Sequence, residues 1–158
     1  MKATSILIDT NLLVLYVVGT ASRSYIAKHK RLSEFVVEDY DALLELISGA
    51  SEIFVTPHTL TETSNLVRHI EEPARTEVLK VLQALISNTD ELPIPSKSAC
   101  ARSEFLRLGL TDAVLLEATG AESTLLTTDL DLFLAVQAIG NPAINFNHIR
   151  DQYLGVSE

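Results

Sequence analysis

Three polar residues, Asp9-Thr10-Asn11, separate two apolar runs near the start of the chain, Ser5-Ile6-Leu7-Ile8 and Leu12 to Val18. The first is short and apolar enough for a buried strand, and the second runs unbroken into a helix. A carboxylate at such a junction needs partners, because an unpaired buried charge costs several kcal/mol or takes up a proton. The chain must therefore fold so that the end of its first strand is a place where negative charge is held. Glu62, Asp112 and Asp129 stand in comparable settings, directly after a strand or in the early turns of a helix. Carboxylates that meet are ordinarily joined by a divalent cation, which points to metal-dependent chemistry on a phosphate.

The remaining punctuation alternates strand and helix. The Leu12 to Val18 helix is expected to end near Gly19, and a helical region over about 22–50 to fall in two pieces and stop at Gly49. Ile53-Phe54-Val55 reads as a strand, and Thr56-Pro57 as an N-cap followed by proline at the first helical position. Helices are predicted from Pro57 to about Ile70 and from Pro73 to about Ser87. After Leu92-Pro93-Ile94-Pro95, extended by its prolines, come a helix over about Ser96 to Leu108 and another capped by Thr111. A strand Ser123 to Thr127, a helix Asp129 to Ile139 and a strand Ala143 to Phe146 close the chain. Strands separated by helices predict a parallel sheet in an α/β domain. With 158 residues, one domain is expected, burying roughly two-thirds of its unfolded surface.

In open α/β sheets, sites form at the carboxyl ends of the strands, where Asp9 and Asp129 both fall. Each acid also has a plainer reading. Asp112 suits the positive end of a helix. Thr128-Asp129-Leu130-Asp131 has capping-box spacing, with Asp131 reaching back to the N-cap amide. Glu62 shares a helix face with His58, Asn65 and His69, which is equally a solvated stripe. Neither histidine follows a zinc pattern, and both are expected to be structural or surface residues.

The net charge of −9 weighs against nucleic-acid binding, which usually leaves a basic surface. Its distribution matters more. Arg23, Lys28, Lys30 and Arg31 cluster around His29, with Glu34, Glu38, Asp39, Asp41 and Glu45 behind them. The block reads either as a solvated face with internal ion pairs or as a basic segment beside a phosphate site. The single cysteine, Cys100, excludes an internal disulfide, fits a reducing cytoplasm and reads as a structural thiol. Asp9 and Asn11 break the only stretch resembling a signal or membrane segment, so a membrane location is not expected.

Four motifs, in order, resemble those of PIN-domain ribonucleases: Asp9-Thr10-Asn11 after a hydrophobic strand, Thr61-Glu62-Thr63-Ser64-Asn65 in a helix, Leu110-Thr111-Asp112-Ala113 opening a later helix, and Leu126 to Leu132 around Asp129. The resemblance runs from about Ser5 to Phe146. It implies a three-layer α/β/α fold with a central, mostly parallel sheet, and Mg²⁺ or Mn²⁺ held by Asp9, Glu62, Asp112 and Asp129, with Asp131 a frequent extra acid and Asn11 the polar residue of the first motif. The long stretch from Ser22 to Glu52 and the acidic composition depart from a compact VapC-type toxin.

The chemistry that follows is hydrolysis of RNA phosphodiester bonds. Asp9 would anchor the ion, Asp112 and Asp129 would complete its coordination, and Glu62 would bind metal or orient the attacking water. Thr10, Asn11 and Thr128 are the expected donors that fix the carboxylates, and Arg23, Lys28, Lys30 and Arg31 the expected contacts to RNA. The resemblance further implies a homodimer, whose interface the apolar Leu12 to Val18 stretch is expected to help form, and a possible antitoxin partner. A haloacid-dehalogenase-type phosphatase would need an acid at position 11, which is asparagine, and a receiver-type phospho-acceptor would need paired acids where Ile8-Asp9 stands. A non-catalytic PIN-like module that binds protein or RNA remains the alternative.

Overall fold

The structure, a computed structural model, describes residues 4–154. Strands β1 (Ser5–Ile8), β2 (Ile53–Val55), β3 (Asp90–Glu91), β4 (Ser123–Thr127) and β5 (Ala143–Asn145) form one all-parallel sheet in the order β3-β2-β1-β4-β5. The chain adds strands to one side of β1, then crosses to the other side with β4. The carboxyl ends of β1 and β4 therefore flank the point where the strand order reverses, the usual position of a ligand crevice.

Side-chain alternation along the strands divides the core into two layers. Ile6, Ile8 and Leu126 face a cluster with helices α1 (Thr10–Ala21), α2 (Val37–Ser48), α3 (Pro57–Leu66) and α4 (Ala74–Asn88), joined by Phe146. Leu7 and Leu125 face the opposite cluster, with Leu115 and Leu116 of α7 (Leu110–Ala118) and Leu132, Ala135 and Val136 of α8 (Leu130–Ala138). The result is a three-layer α/β/α sandwich. Two short helices, α5 (Ser96–Cys100) and α6 (Phe105–Leu108), precede α7, and α9 (Phe146–Tyr153) ends the described chain. Among the described residues, no helix is long and apolar enough to cross a membrane.

Several expectations change. Leu12, Leu13, Leu15, Val17 and Val18 are fully buried, so this stretch is core and does not supply the dimer surface expected of it. Gly19 does not end α1. A Cβ there would lie 2.3 Å from the Tyr40 ring, so the glycine serves the close approach of α2 while the helix continues. The 22–50 region is two 3₁₀ turns, Arg23–Lys28 and Lys30–Leu32, followed by α2. Helix α3 stops at Leu66, which leaves His69 off the polar stripe. The predicted 96–108 helix is broken between α5 and α6, where Arg102 turns to pair with Glu104 at 3.1 Å and Glu117 at 2.6 Å. Cys100 is exposed, its thiol donating to the Lys97 carbonyl.

Candidate functional site

Pairing of Ile8 with Leu126 sets Asp9 beside Thr127, with the Asp9 amide donating to the Leu126 carbonyl at 3.1 Å. Asp9 is the N-cap of α1 and is only 7% exposed. Its two oxygens accept from the Thr10 amide at 2.7 Å and from the buried Thr127 hydroxyl at 2.6 Å. Thr127 Oγ1 in turn accepts the Asp129 amide at 3.0 Å. One hydroxyl thus links the first acid to the fourth. Asp129 is itself the N-cap of α8 and takes the Leu132 amide at 3.1 Å.

Of the other two acids, Glu62 joins through threonines as well. Glu62, exposed on α3, accepts from Thr10 Oγ1 at 3.2 Å on one oxygen and from Thr111 Oγ1 on the other. Thr111 can reach across because it is not the cap of its helix. That place belongs to Gly109, whose φ of +86° is the left-handed region glycine allows. Asp112, next along α7, is half-buried and has no hydrogen-bond donor among the described residues. Pro57, His58, Thr61, Glu62 and Thr111 line a concavity of about 300 Å³ at the rim of this cluster. His58 Nε2 lies 2.7 Å from Ser96 Oγ, while its Nδ1 is buried without a partner among the described residues.

The electrostatics couple all four carboxyls. Burial pushes the Asp9 carboxyl above its ordinary range, the bonds from Thr127 and Thr10 hold it down, and repulsion from Asp129 and Glu62 raises it again. Asp112 is pushed up to about 7, chiefly by burial and then by the charges of Asp9, Asp129 and Glu62. Even so, among the described residues no three His, Cys, Asp or Glu side chains stand close enough to ligate one ion as they are. The donor set itself, carboxylate oxygens and no sulfur or imidazole, suits a hard divalent cation such as Mg²⁺ or Mn²⁺.

The remaining expected residues fall differently. Asp131 is exposed and does not reach back to cap α8, since the N-cap is Asp129 rather than Thr128. It is not among the charges acting on Asp9 or Asp112. Asn11 is exposed with no side-chain bond among the described residues, and Thr128 contributes only its carbonyl, to Asn147 at 3.0 Å. Of the three expected donors only Thr10 gives its hydroxyl to one of the acids, Glu62, and the other holding hydroxyls are Thr127 and Thr111. The signal was a threonine two residues before Asp129 and one immediately before Asp112, although only strand register reveals what Thr127 touches.

Arg23 pairs with Asp41 at 2.9 Å on the solvated surface. Lys28, Lys30 and Arg31 are exposed and unpaired among the described residues. His29 between them is buried; its Nε2–H donates to the Val67 carbonyl at 3.0 Å and its Nδ1 accepts the Arg31 amide at 3.1 Å. Burial, with the charges of His69 and Arg31, holds its pKa below the ordinary value. The basic segment is thereby stitched to the end of α3, the helix that carries Glu62.

No family model matches the sequence, and no curated protein matches it. Among solved structures, the chain is similar to a domain of a functionally unknown protein from Methanocaldococcus jannaschii DSM 2661, at 16% identity over 90% of each chain with a TM-score of 0.46.

Proposed function

We propose that this chain is a PIN-type, divalent-metal-dependent endoribonuclease that hydrolyses phosphodiester bonds of single-stranded RNA in the cytoplasm. One arrangement supports the reading: three threonine hydroxyls fix the carboxylates of Asp9 and Glu62, one of them also taking the Asp129 amide, and the charges of these three acids raise Asp112 beside them, at the point where a parallel sheet reverses its strand order. Packing alone does not call for it. Asp112 in particular carries burial and repulsion with no donor to offset them.

In this reading Asp9, Asp112 and Asp129 hold the cation, with Glu62 beside them. When bound, Mg²⁺ or Mn²⁺ supplies an acidified water and positive charge next to the phosphate. Hydrolysis would join a water oxygen to phosphorus as the bond from phosphorus to the sugar oxygen breaks. The departing oxygen gains a proton, leaving a phosphate monoester and a free hydroxyl. Glu62, steadied by Thr10 and Thr111 at the rim, accepts the proton of the attacking water. A homodimer and control by an antitoxin protein belong to the proposal on the family resemblance alone.

The spacing of the acids, too wide for a ready-made ion cage, favours a second reading, a PIN-like module that binds protein or RNA without cutting it. Incubation of end-labelled single-stranded RNA with Mn²⁺ separates the two. Internal cleavage that chelation abolishes, and that Asp9→Asn reduces by orders of magnitude, is expected of the nuclease. Absence of cleavage by wild-type protein over a range of Mn²⁺ concentrations leaves the binding module.

A further inference from the structure

Beyond the carboxyl end of α3 lies a pocket of about 400 Å³ lined by Asn65, Arg68, His69 and Arg75. No acid lines it, in a chain that carries 21 acidic against 12 basic residues. Arg75 is fixed: its Nε donates to the carbonyls of Arg68 at 3.2 Å and Ile70 at 3.1 Å, which leaves the terminal amino groups of the guanidinium unbonded among the described residues. Arg68 has no carboxylate partner there either. Glu72, the acid whose charge Arg75 acts on, makes its hydrogen bonds to the Thr76 amide and hydroxyl at 2.8 and 2.9 Å and forms no ion pair with either arginine. The basic segment adds to the same corner, since the Lys30 amide reaches the His69 carbonyl at 3.4 Å. Positive groups gathered without an acid in contact repel one another and are stabilised by an anion. A planar guanidinium held at its Nε is suited to grip a phosphate with the donors that remain.

We infer that this pocket binds a phosphate of the RNA flanking the one at the four carboxylates. The inference rests on the proposed ribonuclease function. Asn65 lies one helical turn from Glu62 on the same face of α3 and lines the pocket, and Arg68 follows just past the carboxyl end of the helix. Glu62 and the pocket thus lie in the middle and at the carboxyl end of α3, and a strand laid along that helix meets both. This placement reconciles the net charge of −9 with a polyanionic substrate: the RNA is gripped locally, by cations gathered at one corner of a chain that is acidic in total.

The test uses full-length protein and a fluorescein-labelled single-stranded RNA 12-mer. Arg68→Gln removes a side chain without a protein partner, and Arg23→Gln, already paired with Asp41, is the control for loss of charge. Anisotropy in the Asp9→Asn background is expected to show about tenfold weaker binding for Arg68→Gln. The slope of log K against log salt should also be shallower by about 0.7, one phosphate contact on a single strand. In the active protein the same change should raise KM at constant kcat for the 12-mer and leave cleavage of a dinucleotide, which lacks the flanking phosphate, untouched. Equal affinities and slopes for wild type and Arg68→Gln, or the same loss in Arg23→Gln, would overturn the subsite. If wild type fails to cleave but Arg68-dependent binding with the reduced slope persists, the nuclease reading falls and the phosphate subsite stands.

Discussion

Threonine hydroxyls organise this site. A buried carboxylate such as Asp9 is tolerable because it takes two donors, and Thr127 supplies the one that also reaches Asp129. Thr127→Val keeps the shape and removes the donor. Chemical denaturation at pH 8 without metal should show a loss of about 1–3 kcal/mol, the cost of leaving a buried polar group unsatisfied; an unchanged midpoint would mean that Asp9 does not depend on this bond. Asp112 behaves in the opposite sense. Its folded pKa of about 7 lies above the ordinary 3.8, so the native state binds its proton more tightly than the unfolded state. Its contribution to stability is complete below about pH 4 and is lost as the pH rises through about 7. Three units correspond to about 4 kcal/mol, and solvent screening around a half-buried group reduces this to on the order of 1–2. Chelated Asp112→Asn should therefore be more stable than chelated wild type at pH 8, with the advantage vanishing by pH 4. A difference that stays constant across that range would remove the proposed repulsion.

At the scale of elements, α1 is the axis of the fold: it is buried on nearly all sides, caps its own start with Asp9 and receives α2 at Gly19. Gly19→Ala should cost about 1–3 kcal/mol by overpacking against Tyr40, and Tyr40→Leu in the same protein should recover part of it by making room. Melting curves of the single and double variants decide this, and full additivity of the two losses would mean that the contact is not what constrains position 19. Elements with strong local signals were legible in the sequence. Ile53–Val55 and Ser123–Thr127 lie where their apolar runs place them, and Thr56 caps α3 as the Thr-Pro pair predicts. Elements that depend on distant partners were not. Strand β3 is only Asp90 and Glu91, two charged residues that become a strand by pairing with Phe54 and Val55 at the sheet edge. Helix α9 has a largely polar sequence and is docked by Arg150 and Tyr153, which reach the buried Asp39 at 2.9 and 2.6 Å. For the same reason the acids and Thr10 could be picked out by their local setting, whereas the bond from Thr127 to Asp9 needed the register of β1 against β4, and that from Thr111 to Glu62 the packing of α7 beside α3.

For the molecule as a whole, the strand order brings residues over a hundred positions apart, Asp9 and Asp129, to neighbouring strand ends. Acidic in total, the chain places Arg68 and Arg75 beyond one end of α3 and Glu62, with the threonines that bond it, on and beside the same helix. That the four carboxylates act as one cation site is tested most directly by thermal melting in Mn²⁺, comparing wild type with Asp9→Asn. A cation bound only to the native state at a hundred times its Kd adds about 2.7 kcal/mol, a rise of roughly 5–10 °C for a chain of this size. Wild type should show that rise, and Asp9→Asn should melt at or above the metal-free wild type but lose most of the response. A Mn²⁺-induced shift of equal size in both proteins would contradict a cation site built on Asp9.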